Sequence, residues 1–67
     1  MTVVVSDLNI RRGHGTDAEK TGRYMPLGLC TIYDKVLDDG FIWGRIDWTD
    51  NLWIALCTAD GKKIYVK

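Results

Sequence analysis

Between Gly13 and Ala18 the chain reads GHGTDA, a G-x-G-x-x-A spacing. In a dinucleotide-binding unit such glycines let the backbone approach a pyrophosphate held at a helix N-terminus, and an acidic residue about 20 positions on takes the ribose. Asp38 and Asp39 could supply that acid. The surroundings do not fit. Gly15 is followed by TDAEKTGRYMPLG, which has no apolar stripe and soon meets Gly22 and Pro26, so no helix is expected to receive the phosphates. A chain of 67 residues divided by hairpin turns cannot also hold parallel strands with their crossovers. The segment is therefore read as a loop. Gly13 and Gly15 are expected to take backbone conformations closed to other residues, and His14 to project from the loop tip.

The other groups capable of chemistry are few. Cys30 and Cys57 lack a C-x-x-C spacing, and with the single His14 they fall short of a four-ligand zinc site. Both lie in apolar, strand-like runs, where a free thiol acts as a small hydrophobe; one disulfide is the alternative. No Ser or Cys has a histidine partner by spacing, and no pair of carboxylates is seen to converge. The expectation is a protein that is not an enzyme and needs no cofactor or metal.

Turn signals at short intervals separate alternating segments. Thr2 to Ser6 is rich in β-branched residues, and Leu8 and Ile10 alternate with Asn9 and Arg11. Leu29 to Val36 is a predicted strand with Cys30 and Ile32 on one face and Thr31, Tyr33 and Lys35 on the other. Asp38-Asp39-Gly40 predicts a hairpin turn, since Asp and Gly tolerate positive φ. Phe41 to Trp48 follows, with Ile42, Gly44, Ile46 and Trp48 opposite Phe41, Trp43, Arg45 and Asp47. Thr49-Asp50-Asn51 turns the chain into Leu52 to Cys57, and Asp60-Gly61 turns it again into Lys63 to Val66. Asp17 to Gly22 allows one helical turn at most. Five to seven short strands in this rhythm predict an all-β fold, a small antiparallel barrel or sandwich.

Composition bounds the function. The chain is one small domain, 1–67, with 46% hydrophobic residues and zero formal net charge. Zero charge argues against nucleic acid, whose binding draws on many Lys and Arg. The apolar runs are too short for membrane insertion, and Val3-Val4-Val5 is too short for a signal peptide. Charge is nonetheless uneven: residues 34–50 hold Asp34, Asp38, Asp39, Asp47 and Asp50 against Lys35 and Arg45, as a solvated surface would.

Read in order, LNIRRGHGT resembles the L-N-I/V-R-x-G-x-G-T opening of the bacterial SH3-like (SH3b) domains. Pro26-Leu27-Gly28, LCTIYDKV, GFIWGRI and NLWIAL resemble the family's later segments, with Trp43, Ile46, Trp53 and Ile54 at matching positions. The resemblance spans Val4 to Leu56. Arg12, His14 and Leu52 depart from the usual residues, and 58–67 reads as an added terminal strand. The resemblance implies an SH3-like β-barrel. It also implies a non-catalytic module of a phage endolysin, autolysin or other cell-wall hydrolase. Such a module binds peptidoglycan stem or bridge peptides and holds an attached catalytic domain at the extracellular face of the bacterial wall.

Candidate ligand-binding residues follow from the strand faces. Trp43 and Trp53 lie opposite Ile46 and Ile54, so an isoleucine core sends the indoles toward the surface, with Arg45 and Asp47 alongside. Aromatic area with a few polar groups suits a peptide or sugar; the competing reading makes both tryptophans structural lids. Tyr33 could line the same groove, and Asn9 and Arg11 share an outward face, Arg11 as a bidentate partner for carboxylates. Trp48, on the Ile46 face, is assigned to the core. Two other classes compete: an interaction module for extended or Pro-rich peptides, and an oligonucleotide-binding barrel, which zero charge disfavours.

Overall fold

The computed structural model describes all 67 residues and contains no helix. Its seven strands are β1 (Thr2–Val3), β2 (Leu8–Arg11), β3 (Lys20–Met25), β4 (Gly28–Leu29), β5 (Asp34–Asp38), β6 (Phe41–Arg45) and β7 (Trp53–Thr58). Five form an antiparallel sheet in the order β3-β2-β7-β6-β5, and β1 pairs with β4 in a second, two-stranded sheet. The C-terminal segment, residues 64–67, links the two. It bridges β1 at Val3–Val66 and β7 at Cys57–Ile64, and the Val4 N–H donates to the Tyr65 carbonyl at 3.0 Å. The added terminal strand expected from Lys63 to Val66 is thus present only as isolated bridges.

The hairpin turn expected at Asp38-Asp39-Gly40 forms. Asp38 pairs with Phe41, and the two residues between them have φ of 52° and 78°, the left-handed pair that suits the twist of a tight hairpin. The longer runs are shorter than predicted. Leu29 to Val36 divides between β4 and β5, because Gly28–Leu29 pairs with Thr2–Val3 while Asp34–Asp38 pairs with β6. Phe41 to Trp48 ends as a strand at Arg45. Beyond it the Asp47 carboxylate accepts the Thr49 and Asp50 N–H groups, both at 2.8 Å, a local alternative to the ladder. That turn breaks the alternation, so Trp48 is 74% exposed and does not join the core. The helical turn considered for Asp17 to Gly22 gives way to β3, a solvent-facing edge strand with no alternating pattern to betray it.

Val3, Ile54, Leu56 and Val66 form the buried centre, with Leu8, Ile10, Met25, Cys30, Ile32, Ile42 and Ile46 packed around it. Both cysteines are free and half-buried. A register shift pairs Ile42 with Cys57 but Trp43 with Ala55, leaving Leu56 as the extra residue of a bulge on β7. Its carbonyl accepts the Tyr65 and Val66 N–H groups at 2.9 and 3.0 Å. The bulge fastens the C-terminal segment to the main sheet.

Gly44 is required by space. A Cβ there would stand 2.8 Å from Leu56 Cδ2 and 3.1 Å from two Ile32 carbons. Gly44→Ala therefore overpacks the core and is expected to cost about 1–3 kcal/mol. Urea or thermal unfolding reads this as a clear drop in midpoint; a midpoint equal to that of the unsubstituted chain contradicts the packing.

Candidate functional site

Strand β2 pairs with β7 at Arg11–Trp53, and β7 pairs with β6 at Arg45–Trp53. Side chains paired this way share one face, so the Trp53 indole lies in a row between two arginines. Each arginine is turned aside. The Arg11 Nη1 donates to the Thr16 and Ala18 carbonyls, both at 3.0 Å, and Arg45 donates to the Asp50 carbonyl from Nε at 3.3 Å and Nη2 at 3.1 Å. Arg11 thus braces a loop where a carboxylate clamp was expected.

The sequence reading places Trp43 and Trp53 at the surface, and the structure corrects this. They do share the face opposite Ile54 and Leu56, but they are 2% and 4% exposed. The Trp53 Nε1 donates to Asn51 Oδ1 at 2.6 Å, and the Trp43 Nε1 donates to the Asp38 carbonyl at 2.8 Å. His14 stands edge-on to the Trp53 ring at 5.0 Å, and Phe41 lies 5.7 Å from Trp43 between ring centres. The face that alternation assigns to solvent is a second packed layer, in keeping with the lid reading. Indoles held this way offer almost no stacking surface.

The RRGHGT loop is the cover. Arg12 joins Glu19 through its Nε at 2.8 Å, and the Asn51 Nδ2 donates to the Arg12 carbonyl at 3.1 Å. His14 Nδ1 lies 2.9 Å from Asp38 Oδ2. Thr16 donates to Asp39 from its backbone N–H at 2.8 Å and from its hydroxyl. His14 therefore stays exposed on the loop, as expected, but is tied to Asp38 and leans on Trp53. Gly13 and Gly15 do not take positive φ; those angles belong to Gly22, Gly28, Gly40 and Gly61. Gly15 is buried, and a Cβ there would meet only the end of the exposed Asp17 side chain, at 3.0 Å.

One groove of about 240 Å³ opens beside this layer, between β2 and Tyr65. Asn9 and Arg11 line its wall, with Val5, Ser6, Asp7 and Leu8 leading into it; Trp43 and Ala55 give the floor. Of the expected binding residues, the structure brings together Asn9, Arg11 and Trp43. Tyr33, Arg45, Asp47 and Trp53 lie outside the groove. Tyr33 instead packs on Trp48 at 5.6 Å between ring centres, because its N–H donates to the Arg45 carbonyl at 2.9 Å and sets it beside the turn that follows β6. Asp7 and Tyr65 were not legible as site residues. Asp7 sits at φ 58°, a conformation that Asp tolerates better than most residues, and it lies outside the chain's two ion pairs, Arg12–Glu19 and His14–Asp38. Tyr65 reaches the groove only because the C-terminal segment folds back. No three His, Cys, Asp or Glu side chains gather closely enough to hold a metal ion.

Three turn carboxylates are held below their ordinary value of 3.8: Asp39 by the Thr16 hydroxyl and then its N–H, Asp47 by the Asp50 and Thr49 N–H groups, and Asp60 by the Lys62 N–H and the Thr58 hydroxyl. Hydrogen bonds to the charged form favour it. A carboxyl with a lowered folded pKa contributes stability that is present above its unfolded value and lost as pH falls through the folded one. Comparison with protein-family models, characterised proteins and solved structures finds no match to this chain.

The Asp39 tie can be tested by acid. Below pH 3.8 the Thr16 amide is expected to lose protection from hydrogen exchange as Asp39 protonates, and unchanged protection down to pH 2 contradicts the tie.

Proposed function

We propose that the chain is a non-catalytic SH3b-type module whose groove binds a peptide of peptidoglycan and keeps an attached hydrolase domain on the bacterial wall. The finer fold proposed with it is an SH3-like barrel. The observation that carries the reading is the groove itself: apolar lining from Val5, Leu8, Ala55 and Tyr65 over the buried Trp43, a wall with Asn9 and Arg11, and the unpaired Asp7 at its mouth. An extended peptide needs such a surface, with shallow apolar burial and a few polar groups to fix its amides. The order of the resembling segments supports it as well. LNIR forms β2, WIALCT forms β7 and FIWGR forms β6, and these are neighbours in the sheet.

Arg11 and Trp43 serve the fold as much as a ligand, so recognition is assigned chiefly to Asp7, Asn9 and Tyr65. The chain is expected to sediment with purified peptidoglycan from at least one of a panel of Gram-positive walls. Asn9→Ala and Asp7→Asn, which leave the core untouched, are each expected to weaken retention about tenfold, the loss of one well-placed contact. A chain that stays in the supernatant with every wall overturns the proposal.

A further inference from the structure

The registers that build the sheet also align a row of apolar residues away from the peptide groove. Leu37 pairs with Ile42, Ile42 with Cys57, and Cys57 bridges to Ile64. Leu37 and Ile64, at the ends of the row, are 69% and 47% exposed. Between Ile42 and Ile64 the surface sinks into a second groove of about 300 Å³, floored by Leu56, Cys57 and Val66. Its lining is almost wholly carbon. The exceptions that carry charge are the side chains of Lys35 and Lys67.

The side-chain charge around this groove is one-sided in a chain that is neutral as a whole, while the Met1 ammonium and the Lys67 carboxylate at the two chain ends offset each other. Lys35, Lys62, Lys63 and Lys67 are all the lysines except Lys20. Two of them line the groove, and the other two occupy the turn that contributes Gly61 to it. No Asp or Glu side chain lines it. The acids adjacent in sequence to groove residues are Asp34 and Asp60; Asp34 accepts the Lys35 N–H at 2.8 Å, and Asp60 accepts the Thr58 hydroxyl at 2.7 Å and the Lys62 N–H at 3.0 Å. Lysine heads at the rim of an apolar trough complement a ligand with a negative head and a hydrocarbon body.

We propose that this groove is a second binding site, for a single-chain anionic amphiphile whose carboxylate or phosphate head meets Lys35 and Lys67 while its chain lies on Ile42, Cys57 and Ile64. The trough is recessed, with a floor of buried and half-buried side chains, so it holds one chain between its lysines and the exposed Ile64; a bilayer surface is the alternative that the vesicle arm of the test excludes. At this volume the site takes a short stretch of chain, at the lower end of small-molecule sites. The proposal does not depend on peptidoglycan binding, which concerns the other groove.

The test is a titration of the ¹⁵N-labelled 67-residue chain with decanoate, and in a parallel arm with octyl phosphate, each kept below its micellar concentration. Saturable shifts are expected at the Ile42, Cys57, Gly61 and Ile64 amides, with those of Asp7 and Asn9 unmoved; the tighter arm identifies the head. Lys35→Glu and Lys67→Glu, both surface changes, are each expected to weaken binding about tenfold, as loss of a charged hydrogen bond does. Decyltrimethylammonium is expected to bind at least tenfold more weakly. Three results overturn the proposal. They are absence of saturable shifts in the groove, equal affinity for the cationic amphiphile, or binding to phosphatidylglycerol vesicles with none to the free amphiphiles.

Discussion

Strand β7 runs through the middle of the main sheet, and both of its faces have to be kept from water. Ile54 and Leu56 face the centre formed with Val3 and Val66, while Trp53 and Ala55 face the other way. A domain of this size buries little, with 8 of its 67 residues fully enclosed, so a single layer of apolar contacts would leave it marginal. Covering the second face is what the rest of the chain is arranged to do. The RRGHGT loop covers it at Trp53, and Phe41 and Tyr65 cover it toward Trp43.

A loop makes a good cover only if something fixes it, because ordering its backbone costs conformational entropy. Here the fixing groups come from three directions. Arg11 reaches into the loop from β2, Asn51 holds it from the turn before β7, and Asp38 and Asp39 hold it from the hairpin between β5 and β6. The hairpin in turn depends on Asp39 and Gly40 accepting positive φ. Tight turn chemistry and the packing of Trp53 are thus one structure, linked through short hydrogen bonds to exposed carboxylates. The groove lined by Asn9, Arg11 and Tyr65 lies at the margin of this layer, where β2 and the C-terminal segment meet beside the buried Trp43.

Much of the all-β character was legible because turn residues and alternation are local signals. Asp38-Asp39-Gly40 and Asp60-Gly61 mark their turns, and Cys30 and Ile32 pack against the core as their spacing implies. What alternation cannot report is whether the second face of a strand meets water or more protein. Alternation puts Trp43 and Trp53 on the right face and assigns them the wrong surroundings for that reason. Trp48 fails differently, since the strand ends at Arg45, three residues early, where the Asp47 carboxylate takes the chain into a turn that no periodicity records. Of the candidate site, Asn9 and Arg11 were readable from their shared face. Asp7 and Tyr65 were not, because only the return of the C-terminal segment to Val4 and Leu56 brings Tyr65 beside β2.

Two of the three indoles are built into the packed second face and one stands free of it. Hydrogen exchange at the three tryptophan Nε1–H groups measures this directly in the unsubstituted chain. The Trp43 and Trp53 signals should exchange slowly, each donating within the protein and shielded from solvent, while the Trp48 signal exchanges at the rate of an open side chain. A Trp53 proton exchanging as fast as that of Trp48 would mean that the loop does not cover β7, and would contradict a packed second face.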